Sequence, residues 1–204
     1  MVVMNNPMLQ KENYSSKNLW GKVNLLTKPQ IETILKGLTW SIVNITDAVI
    51  IGGIAVVNYS TGERMLTPDL DFMVDDIDLV KVKLSNDNIV YDDLYTGIEK
   101  SLGITANQLN TDFLSSNVGN IQLNELIIEE PRVTRIGGYQ VKIISPELLA
   151  IMKFIIGRDR DFSDGMALLS SGNCDRERFK SYLNILKDDL QDYESLFEYQ
   201  AFIK

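Results

Sequence analysis

The segment between residues 48 and 74 constrains the fold more strongly than any other part of the sequence. It opens with Val49–Ile51, a β-branched run that suits a buried strand. Gly52 and Gly53 follow, and a glycine pair lets the backbone turn sharply while its amide groups stay uncovered by side chains. Residues 54–59 are then predicted to form a short helix. The N-terminus of such a helix attracts anions, phosphates above all.

The same segment ends in a second predicted strand that carries two aspartates. Apolar residues alternate with Asp69 and Asp71 up to Val74, so both carboxylates lie on one face of the strand. Two neighbouring carboxylates repel each other unless a cation lies between them, and oxygen ligands suit Mg²⁺ or Mn²⁺. A phosphate-binding turn beside a carboxylate pair indicates nucleotide chemistry.

The order and spacing of these residues resemble the nucleotidyltransferase (polymerase β-like) superfamily, in particular its small branch of MNT-type and AbiEii-type proteins. The residues that carry the resemblance are Gly52, Gly53, Arg64, Thr67, Asp69 and Asp71. The resemblance implies an α+β fold, with a mixed sheet flanked by helices and a helical C-terminal part. It also implies Mg²⁺-dependent transfer of a nucleoside monophosphate from a nucleoside triphosphate (NTP) to a hydroxyl group.

A second group of residues downstream is similar to another signature of the same branch. After the sequence Ser-Pro-Glu-Leu-Leu at 145–149, it comprises Lys153, Arg158, Asp161 and Asp164. A lysine in an apolar helix needs a partner or a route to solvent, and a bound triphosphate would serve. Equally, Lys153 could pair with Asp161 or Asp164 where two helices join. For Arg158, Asp161 and Asp164 we favour structural roles, in which Asp161 caps the next helix and Arg158 braces it.

A third acidic residue is expected to complete the site. Leu109–Leu114 alternates apolar and polar side chains and is predicted to be a strand, with Asp112 on its polar face. Asp112 is the preferred candidate because the resemblance implies an acid on a strand beside Asp69 and Asp71. Alternatively, Asp112 only solvates the end of a strand. Three rival positions lie in the next apolar run: Gln122, Asn124 and Glu125.

The resemblance thus implies two sets of site residues. The catalytic residues that would hold Mg²⁺ (or Mn²⁺) are Asp69, Asp71 and Asp112. The nucleotide-binding residues would be Gly52, Gly53, Arg64, Thr67, Lys153 and Arg158. The acceptor would be a protein, a tRNA end or a small molecule, and the branch implies a role in toxin–antitoxin or phage-defence systems, with an antitoxin as partner. The alternatives are a non-catalytic nucleotide-binding or interaction module on the same fold and, with less support, a phosphohydrolase.

Composition excludes several other classes of site. The 204 residues contain no histidine, which rules out Ser-His-Asp and Cys-His catalysis and His-ligated zinc. Cys174 is the only cysteine, so neither an intramolecular disulfide nor a cysteine metal cluster can form. The net charge of −8 argues against broad nucleic-acid binding. Without a signal-peptide pattern or a membrane-spanning apolar run, we expect a cytoplasmic protein.

The remaining patterns predict the outline of the domain. We expect a flexible arm at 1–20, a nucleotidyltransferase-like domain at 21–170 and a helical extension at 171–204 packed on it. The predicted elements are a helix over 25–42, a first strand over 47–51, a helix over 79–84 capped by Asp75 or Asp76, a short strand at 89–91, a helix over 94–102, a hairpin over 132–144, a buried helix after Ser145, and a helical stretch over 175–204 with Asp175 as its N-cap.

Overall fold

The computed structural model describes residues 47–60, 69–86, 88–96, 99–106, 109–115, 121, 123–136, 139–190 and 196–203. The predicted N-terminal arm and the helix expected over 25–42 lie outside the described residues, as do Arg64 and Thr67. Within the described part, helices pack around one mixed sheet. The predicted α+β class, with a mixed sheet, flanking helices and C-terminal helices, is therefore confirmed.

Seven strands form this sheet in the order β3-β4-β5-β2-β1-β7-β6. Strand β1 is antiparallel to β2 and parallel to β7, and β2 is parallel to β5. The outer pairs β3–β4, β4–β5 and β6–β7 are antiparallel. The strands are β1 (Val49–Ile51), β2 (Asp69–Met73), β3 (Asp92–Thr96), β4 (Glu99–Ala106), β5 (Leu109–Leu114), β6 (Arg132–Ile136) and β7 (Tyr139–Ile143).

The described helices are α1 (Gly52–Tyr59), α2 (Ile77–Asn86), α3 (Asn124–Glu129), α4 (Pro146–Ile156), α5 (Asp159–Ser170), α6 (Arg176–Ile185) and α7 (Leu196–Tyr199), followed by a 3-10 turn at Gln200–Phe202. Helix α4 is buried from Pro146 to Ile155 and packs against α1, α5 and α6, so it is the central helix of the domain. None of the helices described is long and apolar enough to span a bilayer.

Three predicted helix caps are confirmed. Ser145 Oγ accepts a hydrogen bond from the backbone N–H of Leu148 (3.3 Å), and Pro146 occupies the first turn of α4. Asp175 caps α6 in the same way through the N–H of Arg178 (2.7 Å). Asp76, one of the two candidates for the cap of α2, accepts from the N–H of Asp78 (2.8 Å).

Two predicted elements are wrong. Residues 94–96 and 99–102 do not form a helix, because they belong to the antiparallel strands β3 and β4. Their leucines at positions 94 and 102 fit a helical repeat, but the strand pairing of a sheet edge overrides that local pattern. The predicted strand at 89–91 is irregular chain. In addition, the first strand begins at Val49, since Asp47 has a positive φ of 53°.

The C-terminal part belongs to the hydrophobic core. The predicted helical stretch is divided, because α6 ends at Ile185 and α7 begins at Leu196. Its apolar residues are buried at the predicted positions, which are Phe179, Tyr182, Leu183, Leu186 and Leu190. The C-terminal helices therefore pack on the same core as the sheet.

We expect Leu183→Ala to lower the free energy of unfolding by about 2–5 kcal/mol, because the side chain is fully buried and its removal leaves a cavity. The matched control is Ile185→Ala on the same helix, where 59% of the residue is exposed and a change within about 0.5 kcal/mol is expected. Urea unfolding measures both. Equal, small effects would contradict a C-terminal part that unfolds together with the sheet.

Candidate active site

The glycine pair brings strand β1 directly against the aspartates of β2. Gly52 is the first residue of α1 and has a φ of +65°, a conformation that suits glycine. A Cβ atom on Gly52 would overlap Asp71 Oδ2 and lie 2.9 Å from Asp71 Cγ. In the sheet, Asp71 is paired with Ile51, the residue before the turn. Glycine is therefore required at position 52 by both the backbone and the adjacent carboxylate.

Strand pairing brings the three predicted aspartates together. Asp69 and Asp71 alternate with apolar residues along β2, so they lie on the same face of the strand. Asp71 is in register with Asp112 on the parallel strand β5. All three side chains are partly buried. On the other face of these strands Leu70, Phe72 and Phe113 are apolar and fully buried, and the rings of Phe72 and Phe113 stack with centroids 5.3 Å apart. The core face of β2 and β5 thus fixes the aspartates on the opposite face.

Burial and neighbouring acidic residues both change the pKa of Asp71. Burial is the largest cause and the charges of Asp69 and Asp112 are the next, and the resulting pKa of Asp71 is raised from 3.8 to about 8. Lys153 and Arg158 act in the opposite direction but do not offset the increase. The carboxylates therefore crowd one another enough to favour either a proton or a cation among them.

Lys153 lies on the predicted buried helix and is paired with two aspartates of α5. Its Nζ donates to Asp161 Oδ1 (2.6 Å) and forms an ion pair with Asp164 Oδ2 (3.4 Å). Only 7% of the Lys153 side chain is exposed. One of the two alternatives for Lys153, the pairing between two helices, is thus present in this structure.

Asp161 does not cap α5, contrary to the prediction. The helix begins at Asp159, its N-cap position is Arg158, and no side chain caps it. Instead, Asp161 lies buried in the first turn, where its Oδ2 accepts a hydrogen bond from Arg158 Nε. Burial alone would raise the pKa of Asp161, but the hydrogen bonds from Arg158 and Lys153 lower it below its usual value. Two cations thus stabilise this one carboxylate.

Arg158 connects this pair to the aspartates of the sheet. Its hydrogen bond to Asp161 raises its pKa, and the charges of Asp69 and Asp71 contribute in the same direction. The Arg158 side chain is 73% exposed, whereas Asp161 is 1% exposed. Arg158 is therefore bound through its Nε to a buried carboxylate, and the rest of its guanidinium extends toward solvent beside the acidic cluster.

Asn124 and Glu125, two of the rivals of Asp112, begin helix α3, and neither lies on a strand of the sheet. Gln122, the third rival, lies outside the described residues. Because Asp112 is the candidate in register with Asp71, the geometry favours Asp112 among these four positions.

A second buried charge cluster, at the opposite end of α4, was missed by the sequence analysis. Glu147 is fully buried, where it binds Arg132 (2.9 Å) and accepts from the backbone N–H of Asp175 (2.7 Å). Its Oε2 has no hydrogen-bond partner among the residues that the structure describes. The signal available was the same as for Lys153, a charged residue in an apolar helix. This cluster ties β6 and α6 to the central helix.

The donors around Asp71 suit a hard cation. In the described ranges, no three acidic, cysteine or histidine side chains form a ready-made metal cage. Mg²⁺ rarely needs one, since it usually keeps several waters and is bound by one or two carboxylates together with substrate phosphates. The Asp71 carboxylate, whose pKa is raised by burial and by the charges of Asp69 and Asp112, fits a divalent ion whose coordination is completed by a bound substrate.

The sequence matches the family described as "Nucleotidyl transferase of unknown function (DUF2204)" over residues 30–196. The chain belongs to this family. No curated protein matches the sequence.

Solved structures provide an independent comparison. A nucleotidyltransferase-like antigenic protein from Paracoccidioides brasiliensis aligns with a TM-score of 0.50 at 14% identity, covering 86% of this chain and 94% of that one. The lincosamide antibiotic adenylyltransferase LnuA, solved with lincomycin, aligns at 0.47 and 18% identity, covering 71% and 98%. JHP933 from Helicobacter pylori aligns at 0.36 and 13% identity, covering 88% and 90%. The first of these is similar in fold.

We expect Gly52→Ala to destabilise the protein by about 1–3 kcal/mol more than Gly172→Ala, because the new Cβ overlaps the Asp71 carboxylate. Gly172 is the matched control, since its φ is also positive (+76°) but no atom lies within 4 Å of a Cβ built there. Each variant is measured by urea unfolding. If both lose the same stability, strain in the backbone accounts for the cost and the close approach to Asp71 does not.

The raised pKa of Asp71 predicts a pH-dependent stability in metal-free protein. The native state binds a proton at Asp71 more tightly than the unfolded chain does, so the contribution of Asp71 to stability falls between about pH 4 and about pH 8 and is constant above. Asp71→Asn removes this slope. Urea unfolding of both proteins across that range, with a chelator present, measures the difference. A difference that is flat with pH would contradict the raised pKa.

Proposed function

We propose that this protein is a Mg²⁺-dependent nucleotidyltransferase that moves a nucleoside monophosphate from an NTP to a hydroxyl acceptor. One observation carries the proposal. Asp69 and Asp71 on β2 lie beside Asp112 on the paired strand β5, next to a glycine turn that makes room for Asp71. Membership of a nucleotidyl transferase family supports the same reaction class.

In this proposal the three aspartates hold the metal. When bound, Mg²⁺ supplies the positive charge that stabilises the attacking and leaving oxygens of an in-line displacement. Asp69 and Asp71 would hold the ion that neutralises the triphosphate, and Asp112 would serve the acceptor hydroxyl. Their positions on strands, rather than loops, keep the carboxylates in a fixed arrangement.

The glycine turn and two cations bind the phosphates. Gly52 and Gly53 form the start of α1, where backbone amides and the helix dipole favour negative charge. The first turn of α1 contains no acidic residue that would oppose an anion. Lys153 and Arg158 add positive charge beside the aspartates. Arg64 and Thr67 belong to the same proposed nucleotide site.

The bond changes follow from this arrangement. The acceptor oxygen forms a bond to the α-phosphorus while the bond between that phosphorus and the bridging oxygen to the β-phosphorus breaks. Pyrophosphate leaves with the electron pair, and Asp112 or an adjacent carboxylate takes the proton of the acceptor hydroxyl.

For the acceptor we propose a protein, a tRNA end or a small hydroxylated molecule. The net charge of −8 slightly disfavours a large nucleic acid, because its phosphates would be repelled. Resemblance to MNT-type and AbiEii-type proteins motivates a role in a toxin–antitoxin or phage-defence system, with an antitoxin as protein partner. Radiolabel transfer from α-labelled NTP into cell protein, into total tRNA or into a small-molecule library separates the three acceptors.

A non-catalytic nucleotide-binding module is the second candidate. It is favoured by the pairing of Lys153 with Asp161 and Asp164, which already neutralises a cation that catalysis would use. Mg²⁺-dependent NTP binding without pyrophosphate release, in the presence of every acceptor class, would support this candidate over the enzyme.

We expect at least one NTP to raise the melting temperature by several degrees when Mg²⁺ is present, as binding to the native state alone requires. Asp71→Asn should abolish this rise and reduce pyrophosphate release by at least about 100-fold. The control is Asp75→Asn, the same chemical change at an exposed aspartate just beyond β2, which should behave as wild type. The proposal fails if no NTP binds wild type or if both variants respond alike.

A further inference from the structure

A single carboxylate holds both cations that flank the aspartate cluster. Asp161 uses its two oxygens separately: Oδ1 accepts from Lys153 Nζ and Oδ2 accepts from Arg158 Nε. Asp161 is 1% exposed, so water does not compete for these oxygens. Because hydrogen bonds between charged groups are the strong ones, the direction of both cationic side chains is fixed from one point.

We propose that Asp161 is a positioning residue for the nucleotide site, which aims Lys153 and Arg158 at the phosphates of the bound NTP. This inference rests on the proposed function. It replaces the capping role expected from the sequence with one in the binding of substrate, exerted through the two cations and without contact between Asp161 and the reacting atoms.

The position of the two cations supports this role. Both Lys153 and Arg158 lower the pKa of Asp71, and the charges of Asp69 and Asp71 act on Arg158, so the cations lie within electrostatic range of the aspartates. Arg158 is bound to Asp161 through Nε, and its guanidinium carries four further N–H donors on its two Nη atoms. Since its side chain is 73% exposed, these donors can reach a ligand in solution.

Local backbone geometry keeps Asp161 in place. Gly157 ends α4 in the left-handed conformation, with its N–H bonded to the carbonyl of Lys153 (3.1 Å), and α5 begins two residues later. This short connection brings the first turn of α5 back against the last turn of α4. Lys153 and Asp161 therefore meet across the junction even though they lie eight positions apart in the sequence.

Asp164 contributes less to the same arrangement. Its Oδ2 lies 3.4 Å from Lys153 Nζ, compared with 2.6 Å for Asp161 Oδ1. A phosphate that approaches Lys153 competes more easily with the longer contact. We therefore assign the fixed position of Lys153 to Asp161 and expect Asp164 to have a smaller effect on phosphate binding.

Three explanations of the role of Asp161 predict different changes in phosphate affinity when Asp161 is replaced by asparagine. If Asp161 acted only by its charge, removing that charge near a phosphate site would tighten binding of an anion. If it only joined two helices, stability would fall while the affinity of the folded protein stayed the same. If it positions the cations, affinity falls even though the local charge becomes more favourable for phosphate.

The test measures the affinity of folded protein for inorganic tripolyphosphate and for each of the four NTPs, with Mg²⁺, by calorimetry. Asp161→Asn should weaken binding about tenfold or more, in line with the loss of charge-assisted contacts, and Asp164→Asn should weaken it less. Asp161→Glu keeps the charge but displaces the carboxylate, so it should also weaken binding. This variant answers the same question if Asp161→Asn does not fold.

Glu147→Gln is the matched control. Glu147 is also a buried carboxylate paired with an arginine, but it lies at the far end of α4. Its substitution should lower the melting temperature and leave affinity within about twofold. Unchanged or tighter binding by a folded Asp161 variant would overturn the positioning role while the proposed function stands. Absence of binding by wild type to tripolyphosphate and to every NTP would instead overturn the proposed function, and this inference with it.

Discussion

The close approach of Asp71 to Gly52 is the contact on which the rest of the site depends. A side chain at position 52 would occupy the space of the Asp71 carboxylate, so the turn after β1 and the acidic face of β2 can coexist only with glycine there. Sheet register then brings Asp112 beside Asp71, and helix α1 starts from the same turn. The glycine turn and the carboxylate cluster are thus one structural unit.

Opposite charges from two parts of the fold meet at this unit. Asp69, Asp71 and Asp112 crowd together on the sheet, whereas Lys153 and Arg158 come from the α4–α5 junction and are themselves held by Asp161. The cations lower the pKa of Asp71 but leave it well above its usual value. Such a site favours a ligand that brings both cations and anions, and a metal–triphosphate complex has this composition.

Part of this site could be predicted from the sequence, because alternating apolar and polar side chains indicate a strand and a glycine pair indicates a sharp turn. Leu109–Leu114 alternates clearly, and it forms the predicted strand with Asp112 beside Asp71. The helix predicted over 94–102 is wrong, since the few apolar residues of this segment fit a helical period as well as a strand period, and the pairing of β3 with β4 decides between them. The partner of Lys153 could not be decided from sequence, because it depends on the angle of the turn at Gly157. Arg64 and Thr67 stay predictions, and so do the roles assigned to the aspartates.

Diffraction from crystals grown with Mn²⁺ and a non-hydrolysable NTP tests the central claim most directly, because the anomalous signal of manganese locates the ion without assumptions about the ligands. The account predicts an anomalous peak about 2.1 Å from carboxylate oxygens of Asp69 and Asp71, with the triphosphate against the turn at Gly52. Manganese or nucleotide bound at another place, with these aspartates uncoordinated, would contradict it.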